Sequence, residues 1–168
     1  MSPKSKRETD GTNNYQFLSM AIAYLEIGKV AARAETELGN DADYQNAIAY
    51  QLFHAVELFY KQMIKNKTGS VPHIHDLKEL EDKYASLYPD PSYKLDHPFD
   101  FSDYCTSELN PDEHDLYAAH VSKFKPRFMD QHLRYPADER TGGYSFNIDG
   151  SAFDKIKAKM TDIYATSS

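Results

Sequence analysis

The sequence predicts an all-α fold, a four- to five-helix up-and-down bundle, and three observations carry that expectation. Apolar residues recur at helical spacing in successive stretches of the chain. Residues that cap helices precede these stretches, and glycine or proline follows them. Only one short segment, between the last two helices, reads as a β-hairpin. At 168 residues the chain has the length of one domain able to bury a real core. Residues 1–13 are polar and read as a disordered tail, leaving 14–168 as a single helical domain.

The first helix is expected from Tyr15 to Leu38, with Phe17, Leu18, Ala21, Ile22, Leu25, Val30 and Leu38 inward. Asn13 or Asn14 would cap it, and Gly39-Asn40 would stop it. The second is the centre of the chain. From Asn46 to Lys67, Ile48, Leu52, Ala55, Phe59 and Met63 form one apolar stripe, which Val56 and Leu58 widen. A helix this apolar belongs inside a bundle rather than on its surface. Asp41 or Asp43 would cap it and Gly69 end it.

A third helix is expected to open at His75 or Asp76, with Asp76 and Glu79 as a capping box. Leu77, Leu80, Tyr84 and Leu87 give its buried face, and Pro89-Asp90-Pro91 ends it. Residues 90–110 lack clear periodicity but carry Tyr93, Phe99, Phe101 and Tyr104. A loop pinned by aromatic anchors fits, whether as a packed connector or as a binding lid. Glu113 to Leu133 reads as a fourth helix, kinked or divided at Pro126. The hairpin would fall between Arg134 and Ile148, around Thr141-Gly142-Gly143. A last helix would open at a Ser151–Asp154 capping box, with Phe153, Ile156, Met160 and Ile163 inward.

Composition narrows the function classes. No apolar run approaches the roughly 18–20 residues that span a membrane. Cys105 is the single cysteine, which removes intrachain disulfides and cysteine-based zinc sites and suits a reducing, cytoplasmic setting. Nineteen basic against 26 acidic residues give a net charge of −7, the wrong sign for a general nucleic-acid coat. Any RNA contact must come from a local basic patch. Glycine-rich phosphate loops and nucleophile elbows are absent from the sequence, so no cofactor is expected.

Three groups of residues carry candidate chemistry. On the second helix, Glu57 precedes Lys61 by one turn, the favourable order for an ion pair. His54 stands beside the apolar face. These three residues line a candidate ligand cleft, or His54 makes one structural hydrogen bond. Lys123, Lys125, Arg127, His132 and Arg134 interrupt the acidic surface. They read either as a phosphate or RNA face or as the polar side of an amphipathic helix. His73-x-His75 begins a metal-like spacing, but nothing fixes further ligands and no metal is expected.

Taken together, Phe53-His54-Ala55-Val56-Glu57-Leu58-Phe59-Tyr60-Lys61, the turn at Gly69 and His75-Asp76-Leu77 resemble the HEPN superfamily of small helical domains. The resemblance covers roughly Asn46 to Leu87. Catalytic HEPN proteins are metal-independent endoribonucleases that carry Arg, four to six residues, then His. Arg127-Phe128-Met129-Asp130-Gln131-His132 stands near that motif with four intervening residues, although Phe128 replaces the usual polar neighbour. The resemblance implies that Arg127 holds phosphate and His132 moves a proton, with Lys123, Lys125 and Arg134 binding RNA. It also implies a homodimer whose two motifs share one cleft, as in toxin–antitoxin or phage-defence relatives. The other reading it allows is a non-catalytic bundle that binds a nucleotide, or a protein partner such as a cognate antitoxin or nucleotidyltransferase.

Overall fold

The computed structural model describes residues 16–34, 37, 42–99, 133–135 and 148–167. Among them are four helices: α1 (Gln16–Arg33), α2 (Ala42–Thr68), α3 (Leu77–Leu87) and α4 (Gly150–Thr166), with a 3-10 turn at Pro91–Tyr93. No strand occurs among the described residues. None of these helices is long and apolar enough to cross a membrane. The fold is an all-α bundle.

The sequence of α2 places it at the centre. Leu52, Phe53, Ala55, Val56, Phe59, Tyr60, Met63 and Ile64 are all buried, so apolar contact surrounds most of its girth. It packs against α1, α3 and α4 in turn. α1 offers Leu18, Ala21, Leu25 and Gly28, spaced three, four and three apart on one stripe. α4 answers with Phe153, Ile156, Met160 and Ile163 at the same spacing.

Gly28 of α1 packs tightly against Phe153 of α4 and Gln51 of α2. A Cβ at this position would meet the Phe153 ring and stand 3.0 Å from Gln51 Cβ. The hydrogen of glycine therefore lets α1 approach both neighbours. Lys29 and Arg33 both reach Asp154 of α4, at 2.6 and 3.1 Å, and Lys157 pairs with Glu26. These exposed or half-exposed pairs set orientation more than stability.

Helix ends follow side-chain chemistry. The Asp76 carboxylate accepts from the backbone N–H groups of Lys78 and Glu79, as its capping pattern predicts. Gly69 closes α2 with φ of 76°, a conformation that glycine adopts without strain. Two expected boundaries move. α4 is capped by Asp149, whose Oδ1 accepts from Ser151 and Ala152, so the helix starts before the expected Ser151 cap. The ionised carboxylate is the better acceptor beside a positive helix N-terminus. α1 stops at Arg33 rather than Leu38, with Ala34 N–H turning back to Ala31 O. Val30, expected inward, is 67% exposed. Two residues past Gly28, it lies roughly 160° round the helix from the buried stripe.

The described part of the aromatic segment is a packed connector. Leu95 and Phe99 are buried, and Phe99 meets Phe53 edge-on at 5.2 Å. The Tyr84 hydroxyl donates to Tyr93 O, and the Tyr88 hydroxyl to Met63 O at 3.0 Å. Phe101, Tyr104, most of the expected fourth helix and the interior of the expected hairpin lie outside the described residues.

Candidate functional site

Glu57 is the organising residue of the site. A carboxylate buried in the middle of α2 loses its water and must be repaid by donors. Helical spacing supplies two of them on one face, His54 one turn before and Lys61 one turn after. Lys61 Nζ donates to Oε1 at 2.8 Å, and His54 Nδ1 lies 3.3 Å from Oε2. The third comes from outside the helix, His75 Nδ1 at 3.0 Å from Oε1. His75 immediately precedes the Asp76 cap, so the start of α3 fixes where this imidazole emerges.

The charge balance is decided by competition. Burial pushes the Glu57 carboxyl up more than any other single influence. Hydrogen bonds from His54, Lys61 and His75, with the Lys61 charge, together outweigh it and hold the carboxyl down at about 2. Glu57 is therefore ionised at neutral pH and can only accept. It follows that both imidazoles present an Nδ1–H to the carboxylate.

His54 is further locked by aromatic rings. The Tyr24 ring of α1 meets it edge-on at 4.6 Å between centroids, and Tyr50 stacks on it at 5.7 Å with planes 13° apart. The Arg134 guanidinium lies over Tyr50 at 5.8 Å and over Tyr135 at 5.6 Å. Both distances fall in the cation–π range. The result is a row of planar groups running from Tyr24 through His54 and Tyr50 to Arg134 and Tyr135. Its outer end is open to solvent, with Tyr135 64% exposed, and the His75 side chain is 75% exposed.

The expected cleft residues His54, Glu57 and Lys61 thus stand together, although Lys61 is buried as the internal counter-charge. Arg134, expected with the basic RNA face, joins them through Tyr50. Arg127, His132, Lys123 and Lys125 lie outside the described residues. Sequence reasoning missed His75 as a partner of Glu57, and Tyr50 as the link to Arg134. Tyr50 stands one turn before His54, a spacing that signals a shared face.

Comparison with known protein families, with characterised proteins and with solved structures returns no match. The site's chemistry rests on its own geometry.

In that geometry the Lys61 ammonium sits directly on Glu57, with Nζ 2.8 Å from Oε1. Among the described residues no group of three or more His, Cys, Asp or Glu is arranged to hold a metal ion. A separate open pocket of about 440 Å³ lies between the 94–98 loop and α4, lined by Lys94, His97, Pro98, Lys155, Ile156 and Lys159. Two of its three lysines are already engaged, Lys94 with Asp96 at 2.9 Å and Lys159 with Ser92 O at 2.8 Å.

Proposed function

We propose that this chain is a HEPN-like bundle that binds single-stranded RNA and cleaves it without metal, working as a homodimer. The observation that carries the reading is the Arg134 guanidinium over Tyr50, itself stacked on His54. Proteins that grip unpaired RNA stack its bases on aromatic rings and arginine planes and meet its phosphates with cations. A row of Tyr, His, Tyr, Arg and Tyr that opens to solvent has both properties. It also gives an acidic chain a local cation, Arg134, at the place where RNA would meet it.

Arg127 and His132 fit the chemistry of cleavage. His132 is bonded to Leu133, a core residue, and Leu133 to Arg134 of the row. Arg127 holds the scissile phosphate in this reading, and His132 handles a proton. Lys123 and Lys125 extend the contact with the RNA backbone. The second copy has a surface to use. Met20 and Ile27 of α1 are 55% and 60% exposed and flank Tyr24 at helical spacing. Two chains meeting along this stripe bring their Tyr24–His54 edges towards each other.

The test is cleavage of a labelled single-stranded RNA in the presence of a chelator. Wild type cuts it, and Arg127→Ala and His132→Ala lose the cut while keeping their helical content. Equal cleavage by wild type and both variants refutes the assignment.

A further inference from the structure

The open pocket between the 94–98 loop and α4 has a volume of about 440 Å³, within the range of small-molecule sites. We propose that it binds a small organic anion, a compact apolar body carrying one carboxylate or phosphate. The site shares no residue with the Glu57 cluster and does not depend on the RNA reading.

The sequence builds both walls. In the loop, Leu95 and Phe99 are buried and the His97 side chain is 4% exposed, so alternate residues hold the segment to the bundle. The period of an extended chain then leaves Lys94, Asp96 and Pro98 outward. In α4, Ala152, Lys155, Ile156 and Lys159 recur at helical spacing and give the facing wall. Lys159 Nζ donates to Ser92 O at 2.8 Å, and the Tyr93 hydroxyl donates to Thr166 O at 3.4 Å. These two bonds tie the start of the loop to α4 and keep the gap between the walls. His97 belongs to the frame: Nδ1 accepts the Phe99 N–H at 3.3 Å, and Nε2 stands 3.2 Å from Glu81 Oε1.

Charge in the gap is unbalanced. Three ammonium groups line it against the single carboxylate of Asp96. Lys94 pairs with Asp96 at 2.9 Å, but their side chains are 76% and 83% exposed, so the pair is weak and easily rearranged. Lys159 has a neutral carbonyl as its partner, which leaves its charge uncancelled. Lys155 makes no ion pair or hydrogen bond among the described residues and acts on Asp149 only through its field. Two lysines one helical turn apart repel each other. An anion between them removes that repulsion and accepts charge-assisted hydrogen bonds. Pro98, Ala152, Ile156 and the lysine stems supply the apolar surface, so the ligand carries an apolar body as well as its charge.

The test is an NMR amide-shift titration of the isotope-labelled full chain. Naphthoate and naphthyl phosphate are the anionic probes, and naphthalenemethanol is the uncharged control. Both anions are expected to give saturable shifts confined to residues 94–98 and 152–159, and the tighter of the two identifies the headgroup. The control binds at least about tenfold more weakly, because a charge-assisted contact is worth at least that factor. Lys155 is exposed, so Lys155→Glu melts like wild type, and it weakens both anions at least about tenfold. Asp96→Asn releases Lys94 and tightens both anions about two- to fivefold, a gain that no misfolded variant gives. The proposal is overturned if neither anion saturates, if the control binds as tightly as the anions, or if Lys155→Glu titrates like wild type. Weaker binding by Asp96→Asn, or shifts centred on exposed Met20 and Ile27 of α1, overturns it equally.

Discussion

His75 Nδ1 stands 3.0 Å from Glu57 Oε1, tying the residue before the α3 cap to the middle of the central helix. The same oxygen receives Lys61 Nζ at 2.8 Å, so one buried carboxylate organises both a helix face and the turn that follows that helix. Replacing Glu57 by Leu leaves the Lys61 ammonium buried without its partner. Loss of one member of a buried pair costs about 3–5 kcal/mol. Urea unfolding of Glu57→Leu should show a loss of that order, and Glu57→Leu with Lys61→Met should recover most of it. Equal stabilities for the single and double variants would show that the two residues act independently.

Acid sensitivity follows from the same carboxylate. Its pKa is depressed from an ordinary 4.5 to about 2 in the folded chain. Stabilisation is therefore fully present above about pH 4.5 and is lost as pH falls towards 2. The depression is worth roughly 3 kcal/mol at neutral pH. Chemical denaturation at pH 7, 5, 4 and 3 should show the gap between wild type and Glu57→Gln narrowing over this window. A gap that stays constant down to pH 3 would mean that another group carries the effect.

Packing at Gly28 gives a test far from any charge. A methyl group there meets the Phe153 ring and lies 3.0 Å from Gln51 Cβ. Helix propensity favours alanine over glycine by up to about 1 kcal/mol, but overpacking costs about 1–3 kcal/mol. The net expectation for Gly28→Ala is a lower melting temperature. A raised melting temperature would show that Phe153 moves aside freely, so that α1 and α4 are not closely packed.

The α1 stripe bears on assembly. Ile27 is 60% exposed, so Ile27→Glu costs the single chain little. Light scattering should find wild type as a dimer and Ile27→Glu as a monomer with the same helical content. A dimer that survives the substitution places the contact elsewhere.

Much of the fold was legible because its signals are local. The α2 stripe, the Asp76 cap and the Gly69 stop each depend on neighbours within a turn or two. The Glu57–Lys61 pair was legible for the same reason. The Asp149 cap was less so, because Ser151 and Asp154 offered a competing box only two residues on. Val30 looked like core by composition, and only its angle round the helix turns it outward. The contacts that complete the site are long-range: His75 reaches back 18 residues to Glu57, and Arg134 is 84 positions from Tyr50. Spacing along the chain carries no information about such meetings.

The most direct test of the RNA-binding face is a fluorescence titration of single-stranded RNA at several salt concentrations, comparing wild type with Arg134→Ala. Arg134 is exposed, so the variant should keep its helical content and melting behaviour. Wild type is expected to bind with an affinity that falls as salt rises, because phosphate contacts release counterions. Arg134→Ala should bind more weakly, by about 1–2 kcal/mol, with a shallower salt slope. Equal affinity and equal slope for the two proteins would contradict the account.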